Sequence, residues 1–192
     1  MTANRGKLII VSAPSGTGKS TIIGHLMQDP SLGLEFSISA TTRKPREGEQ
    51  HGVHYYFMSA DEFKKALADD EFAEYQEVYE GRYYGTLKRE LERIMAAGKN
   101  AVLDIDVQGA INVKKLYGDR ALALFIMPPS IDALRQRLEG RGTDSAEDIA
   151  NRLAKAEFEL SFAPQFDVQV VNDELSVAVD QTHELIKQFT AR

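Results

Sequence analysis

The residues with the plainest chemistry stand near the start of the chain, in Ser12-Ala13-Pro14-Ser15-Gly16-Thr17-Gly18-Lys19-Ser20-Thr21. Gly16 and Gly18 let a backbone approach an anion closely, Lys19 supplies a mobile cation, and Ser20 offers a hydroxyl to a magnesium ion. Loop N–H groups and the N-terminus of a following helix would converge on one phosphate. Ala13 departs from the strict pattern G-x-x-x-x-G-K-[ST], whose first position is glycine. The plain alternative is a glycine-rich turn with a solvated lysine, and the flanks argue against it. The apolar run Leu8-Ile9-Ile10-Val11 reads as a strand buried on both faces, and Ile22, Ile23, Leu26 and Met27 mark a helix after the loop. Strand, loop and helix together make a nucleotide-phosphate site.

Two further sets of charged residues suit such a site. Ala101-Val102-Leu103-Asp104-Ile105-Asp106 reads as a second buried strand that ends in carboxylates. In open α/β sheets ligands bind beyond the carboxyl ends of the strands. Asp104 or Asp106 could therefore hold water around a magnesium ion that Ser20 and phosphate oxygens ligate directly. Strand-end aspartates also make ordinary turn hydrogen bonds. Arg43 and Arg46, in the polar loop from Thr41 to Glu49, are spaced to reach one anion, and a guanidinium fork matches phosphate oxygens pairwise. Tyr55 and Tyr84 would add hydroxyl donors. Alone, that loop is a basic surface stretch beside Pro45; next to a phosphate loop it reads as a second anion site.

The elements that must position these groups follow from periodicity and punctuation. Core strands are expected at 8–11, 101–106, 121–126 and 168–171, separated by helices, which argues for a parallel, three-layer α/β sheet. Phe36 to Ser39 alternates like a strand with one buried face, Tyr55-Tyr56-Phe57 reads as a short aromatic strand, and Phe72 to Tyr79 as another. Ser59 with Glu62 and Ser145 with Asp148 are capping-box pairs. Thr86 and Ser130 are expected N-caps, the first for a helix carrying Leu87, Leu91, Ile94 and Met95 with Gly98 past its end. Gly140-Arg141-Gly142 looks like a flexible joint between two helices. The short strands crowd into the region before residue 87, as a small mixed-sheet insertion would.

Bulk properties set the outer limits. At 192 residues with 43% hydrophobic and 27% charged content, the chain is long enough for one folded unit with a real core. The sequence contains no cysteine, which removes disulfides, thiolate metal sites and cysteine nucleophiles. His51 and His54 lie in a loop-like stretch without carboxylate company, and a solvated loop is the default there. A net charge of −6 argues against a general nucleic-acid binder. No run approaches a membrane span and no signal-peptide layout opens the chain, so no membrane partner and a cytoplasmic location are expected. The sequence leaves a homo-oligomer unread.

The ordered set of motifs resembles the guanylate kinase family, bacterial type, nearly end to end. The stretches that carry the resemblance are Ser12 to Ser20, Ser39 to Glu49, Tyr83-Tyr84-Gly85-Thr86, Leu103 to Gly109, Leu138 to Thr143 and Val171-Asn172-Asp173. It implies an α/β P-loop fold of one domain, with core regions at 1–35, 87–129 and 164–192. It also implies an inserted GMP-binding domain at 36–86 and a helical lid at 130–163. The implied activity is ATP + GMP ⇌ ADP + GDP with Mg²⁺, dGMP being an expected second acceptor, in purine nucleotide metabolism and GMP recycling. ATP would lie on Ala13, Pro14, Ser15, Gly16, Thr17, Gly18, Lys19, Ser20, Thr21 and Arg141, with Asn172 near the adenine. The guanine pocket would use Ser39, Glu74 and Thr86, with Asp104 and Asp106 close to the same nucleotide. Arg43, Arg46, Tyr55 and Tyr84 match a clamp on the GMP phosphate. Arg137, Arg141 and Arg152 match lid arginines which, with Lys19 and Arg43, would stabilise the transferring phosphoryl group.

The pairing of residue types suits guanine. Glu74 can accept both N–H donors of its Watson–Crick edge, and the hydroxyls of Ser39 and Thr86 can donate to O6 and N7; adenine would leave such groups unpaired. Without the resemblance, Glu74 is an unremarkable strand glutamate, and Arg137 and Arg152 are ordinary helix residues. Two other readings share the motifs. One is a catalytically silent module that uses this fold to bind proteins; the other is a related kinase acting on a ribose phosphate.

Overall fold

The computed structural model describes residues 5–140, 142 and 144–191. Five strands form one parallel sheet in the order β2 (Leu34–Phe36), β7 (Asn100–Asp104), β1 (Leu8–Ser12), β8 (Ala121–Met127) and β9 (Val168–Val171). Because alternate side chains of a strand point to opposite faces, β1 feeds two cores at once. Leu8 and Ile10 join Leu91, Ile94 and Met95 of α3 (Lys88–Ala96) and Ala110 and Val113 of α4 (Val107–Tyr117) on one face. Ile9 and Val11 join Ile22 and Leu26 of α1 (Lys19–Met27) and Ala178 and Ile186 of α7 (Leu175–Thr190) on the other. All five β1 residues are buried, as the unbroken apolar run predicts for a strand covered on both sides.

A second sheet of four strands is mixed, in the order β4 (Tyr56–Phe57), β3 (Ala40–Thr41), β6 (Arg82–Leu87) and β5 (Phe72–Tyr79). The β3–β4 pair is parallel and the other two pairs are antiparallel. Phe63 and Ala66 of α2 (Ala60–Ala68) cover this sheet against Ala40, Phe72 and Leu87, and the capping box of Ser59 and Glu62 opens the helix. A third unit pairs α5 (Ile131–Gly140) with α6 (Ala146–Leu160) around Leu134, Leu138, Ile149, Leu153 and Ala156. Ser130 Oγ accepts the Ala133 N–H at the start of α5, and Ser145 with Asp148 caps α6 reciprocally.

Two sequence expectations need correction. The strand expected at 36–39 is instead β2 at Leu34–Phe36, followed by a crossing between the two sheets. Ser37 N–H makes the last rung to Val102 O at 2.9 Å, while Ser39 O already accepts from Tyr56 of the second sheet at 2.9 Å. The polar–apolar alternation there spans a gap between sheets. Thr86 does not cap α3: it lies inside β6, and the cap position falls to Leu87, which makes no side-chain cap bond. The Thr86 hydroxyl is committed across the sheet to Glu74, its register partner.

Candidate functional site

The glycine-rich loop joins β1 to α1 at the carboxyl end of the parallel sheet. Gly16 (φ +93°) and Gly18 (φ +89°) both adopt left-handed backbone that side chains resist. Each also faces a close neighbour. A Cβ on Gly16 would come within 2.9 Å of Leu138 on α5, and one on Gly18 within 2.5 Å of the Asn172 amide nitrogen. Thr17 braces the turn by donating its hydroxyl to Pro14 O at 2.9 Å. Lys19 is ion-paired with Asp104, the last residue of the neighbouring strand β7.

Around this loop opens a cleft of 460 Å³ lined by Ala13, Pro14, Ser15, Gly16, Gly18, Lys19, Ser20, Thr21 and the segment Asp104–Asp106. Lys155 and Glu159 of α6 complete its wall. Burial pushes the Glu159 carboxyl above its usual range. Neither residue emerged from the sequence. The signal lay in helical spacing: Arg152, Lys155 and Glu159 are three and four residues apart, and so share one face of α6. Arg152 itself reaches Ser15 Oγ at 3.2 Å and Asp144 at 3.2 Å, which ties the helical unit to the loop. Arg137 donates to Asn172 O at 2.8 Å and Asp173 O at 3.3 Å. Arg141 lies outside the described residues. The Asn172 side chain is buried and donates to Thr17 O at 2.7 Å, so here it braces the loop backbone.

A second pocket of 240 Å³ adjoins the first. Ser39, Tyr55, Glu74, Gln76, Tyr84 and Gly85 line it, together with the same Asp104–Asp106 segment. Glu74, only 8% exposed, is the chemical centre of this pocket. Its Oε1 accepts the Thr86 hydroxyl at 2.6 Å. Burial, with a smaller contribution from the nearby Asp106 charge, pushes the Glu74 carboxyl up to about 7 against the opposing hydrogen bond from Thr86. Asp106 has a second duty, since its Oδ1 accepts the N–H groups of Gln108 and Gly109 and caps α4. Gly109 leaves the room this requires: a Cβ there would stand 3.0 Å from Glu74 Oε2. A buried carboxylate with one oxygen unbonded among the described residues, flanked by hydroxyls, suits a planar ring that offers adjacent N–H donors.

The arginine loop meets this pocket through its aromatic wall. The Arg43 guanidinium stands 5.2 Å from the Tyr55 ring centroid and 5.7 Å from that of Phe57, and Tyr55 packs edge-on to Tyr84 at 6.1 Å. Arg46 is exposed and borders an outer cleft with Thr42, Arg43, Lys44, Glu80, Gly81 and Arg82. Of the expected acceptor residues, then, Ser39, Tyr55, Glu74, Tyr84, Asp104 and Asp106 share one pocket and Thr86 is bonded to Glu74. Arg43 joins them through Tyr55, while Arg46 stands outside. Among the described residues no group of three or more histidine, aspartate or glutamate side chains could by itself hold a metal ion. No helix among them is long and apolar enough to cross a membrane.

Comparison with known proteins gives a consistent result. The family model described as guanylate kinase matches residues 5–189. A guanylate kinase of Bacteroides fragilis is 58% identical over 183 residues, covering 95% of this chain and 89% of that protein. One from Porphyromonas gingivalis is 56% identical over 186 residues, covering 97% and 99%. The crystal structure of guanylate kinase from Anaplasma phagocytophilum superposes with a TM-score of 0.73 at 29% identity, covering 98% of this chain and 88% of that one.

Proposed function

The chain belongs to the guanylate kinase family, and on that premise we propose that its two adjoining pockets seat ATP and GMP for direct phosphoryl transfer, giving ADP and GDP. The observation that carries this reading is the shared wall. The phosphate-loop cleft and the Glu74 pocket meet along Asp104–Asp106, so donor and acceptor phosphates would face each other across one short segment. Phosphoryl transfer asks mainly for in-line approach and charge neutralisation, and needs no covalent intermediate on the protein.

In this arrangement the loop from Ala13 to Thr21 cradles the ATP phosphates, and Lys19, released from Asp104, follows the charge as it moves. Glu74 accepts the two guanine N–H donors, while Ser39 and Thr86 offer hydroxyls to the opposite edge. Arg43, Arg46, Tyr55 and Tyr84 hold the GMP phosphate. Arg137, Arg141 and Arg152 close over the transfer, Arg152 already touching the loop at Ser15. The same reading assigns the insertion at 36–86 to GMP, the helical unit at 130–163 to a lid and the rest to the core. Asn172 bonds Thr17 O, and its place beside the adenine requires that bond to open.

The donor set suits magnesium carried in with the nucleotide. Ser20 would ligate it directly and Asp104 through water, the remaining positions falling to water and phosphate oxygens. Asp106 is the less suited carboxylate, because one of its oxygens already caps α4. When bound, the ion neutralises triphosphate charge.

Coupled detection of ADP from ATP, with GMP, dGMP, AMP, CMP, UMP and ribose phosphates compared as acceptors, tests the proposal. Turnover should be confined to GMP and dGMP. Turnover with ribose phosphates alone, or with no acceptor in the panel, would overturn it. The cleft geometry gives the silent-module reading no support, since the loop glycines, Lys19 and Ser20 are all in place.

A further inference from the structure

Arg43 is gripped by its own loop. Its Nη1 donates to Glu49 Oε2 at 2.8 Å and to Lys44 O at 2.9 Å, and its Nη2 donates to Glu49 Oε1 at 2.8 Å. The same Glu49 Oε2 accepts the backbone N–H of Arg46 at 2.7 Å. Residues 44–48 are exposed, yet the Arg43 and Glu49 side chains are only 10% and 18% accessible, and the Arg43 guanidinium lies over the Tyr55 and Phe57 rings. The Arg43 guanidinium, and then the Arg46 N–H, holds the Glu49 carboxyl down at about 2. One carboxylate therefore holds the Arg43 guanidinium and the Arg46 backbone together.

The accounting of N–H groups gives this pairing its meaning. A guanidinium carries five in a fixed plane, and among the described residues Arg43 has spent three of them, on Glu49 twice and Lys44 once. With the Tyr84 hydroxyl also against the guanidinium, those left by Glu49 and Lys44 are the Nε–H and the second Nη2–H. They lie side by side on one edge and form a second fork of the width that a phosphate takes. We infer that Glu49 is a positioning residue for phosphate recognition, fixing the end-on fork of Arg43 so that its side-on fork receives the GMP phosphate. The inference rests on the reading of Arg43 as a phosphate ligand. Glu49 itself touches no substrate. Its contribution is to order a long, flexible side chain in advance, which lowers the entropy lost on binding. The opposite role, a carboxylate that mimics phosphate and must be displaced, would use both forks differently and would make its removal favourable.

Calorimetric titration of GMP and of guanosine into the wild type and into Glu49→Ala, Glu49→Gln, Arg43→Ala and the Arg43→Ala/Glu49→Ala double variant separates these roles. Glu49→Ala should weaken GMP by about tenfold or more, with guanosine, which has no phosphate, bound as before. Glu49→Gln, which keeps an acceptor without the charge, should fall between it and the wild type and covers the case in which the alanine variant folds poorly. Most of the Glu49→Ala loss should vanish in the Arg43→Ala background, because the carboxylate acts through that arginine. GMP binding that is unchanged or tighter in both Glu49 variants overturns the inference, as do equal losses for GMP and guanosine or fully additive losses in the double variant. If Arg43→Ala leaves GMP binding intact, the phosphate-site reading falls and this inference with it. A loss in Arg43→Ala but in neither Glu49 variant removes this inference alone.

Discussion

On the proposed reading Lys19 and Glu74 make two distinct demands. Lys19 faces Asp104 in the phosphate cleft, with about a fifth of its side chain exposed. Lys19→Ala should lower turnover by about 10² to 10³-fold, the scale for loss of a charge-stabilising donor. Its melting temperature should stay near that of the wild type, since a partly exposed pair contributes little to folding. Activity close to normal in a steady-state assay would remove Lys19 from its proposed role. Glu74 is the reverse case, a group that costs stability in exchange for recognition. Its folded carboxyl titrates near 7, above the ordinary 4.5. Stability from this group is thus fully present below about pH 4.5 and is lost as pH rises through 7. Glu74→Gln should raise the melting temperature at pH 8, by an amount on the order of 3 kcal/mol in stability, and the gap should close towards pH 4. The same variant should lose GMP turnover. In the wild type, KM for GMP should fall as pH rises from 6 to 8, because guanine needs the ionised form. Thermal melts and initial rates across that range check both signs.

At the scale of elements, pairing across the second sheet and the start of α4 decide what Glu74 can do. Gly109→Ala places a methyl 3.0 Å from Glu74 Oε2, while alanine is the better helix former. GMP affinity should therefore drop severalfold with ATP affinity unchanged and stability equal or higher, a combination that global damage does not produce. Ser145→Ala removes the reciprocal cap of α6 and should cost about 1 kcal/mol, read as a melting shift of about 2–4 °C. These elements also show which signals the sequence carried. The parallel core was legible because two-sided burial forces unbroken apolar runs such as Leu8–Val11, and the phosphate loop because its glycines must take positive φ. Thr86 misled because threonine before a helical pattern looks like a cap, whereas its hydroxyl is drawn across the sheet by a carboxylate twelve residues away. Glu74 looked ordinary for the same reason: its burial arises from register with Thr86 and from packing on α4, and neither is written at position 74. Lys155 and Glu159 needed α6 to be seated over the cleft before their spacing meant anything.

At the scale of the whole molecule, three separately cored units surround one cleft: the parallel sheet, the mixed sheet with α2, and the α5–α6 pair. Closure of the latter two over the nucleotides should exclude water. ATP hydrolysis without GMP should accordingly be slow compared with transfer, and rapid phosphate release in its absence would count against closure as the gate. The bond between Asn172 and Thr17 has a consequence in the order of synthesis. The nucleotide loop precedes one of its braces by 155 residues, and β1 sits between two partners, β7 and β8, that both come from the middle of the sequence. A nascent chain released only as far as β8 would keep the Thr17–Pro14 bond of the loop but lack its Asn172 brace. The loop of such a chain should therefore be looser than in the finished fold and should stiffen when the segment after β9 docks, which amide exchange at Thr17 and Gly18 in a chain truncated before β9 would show.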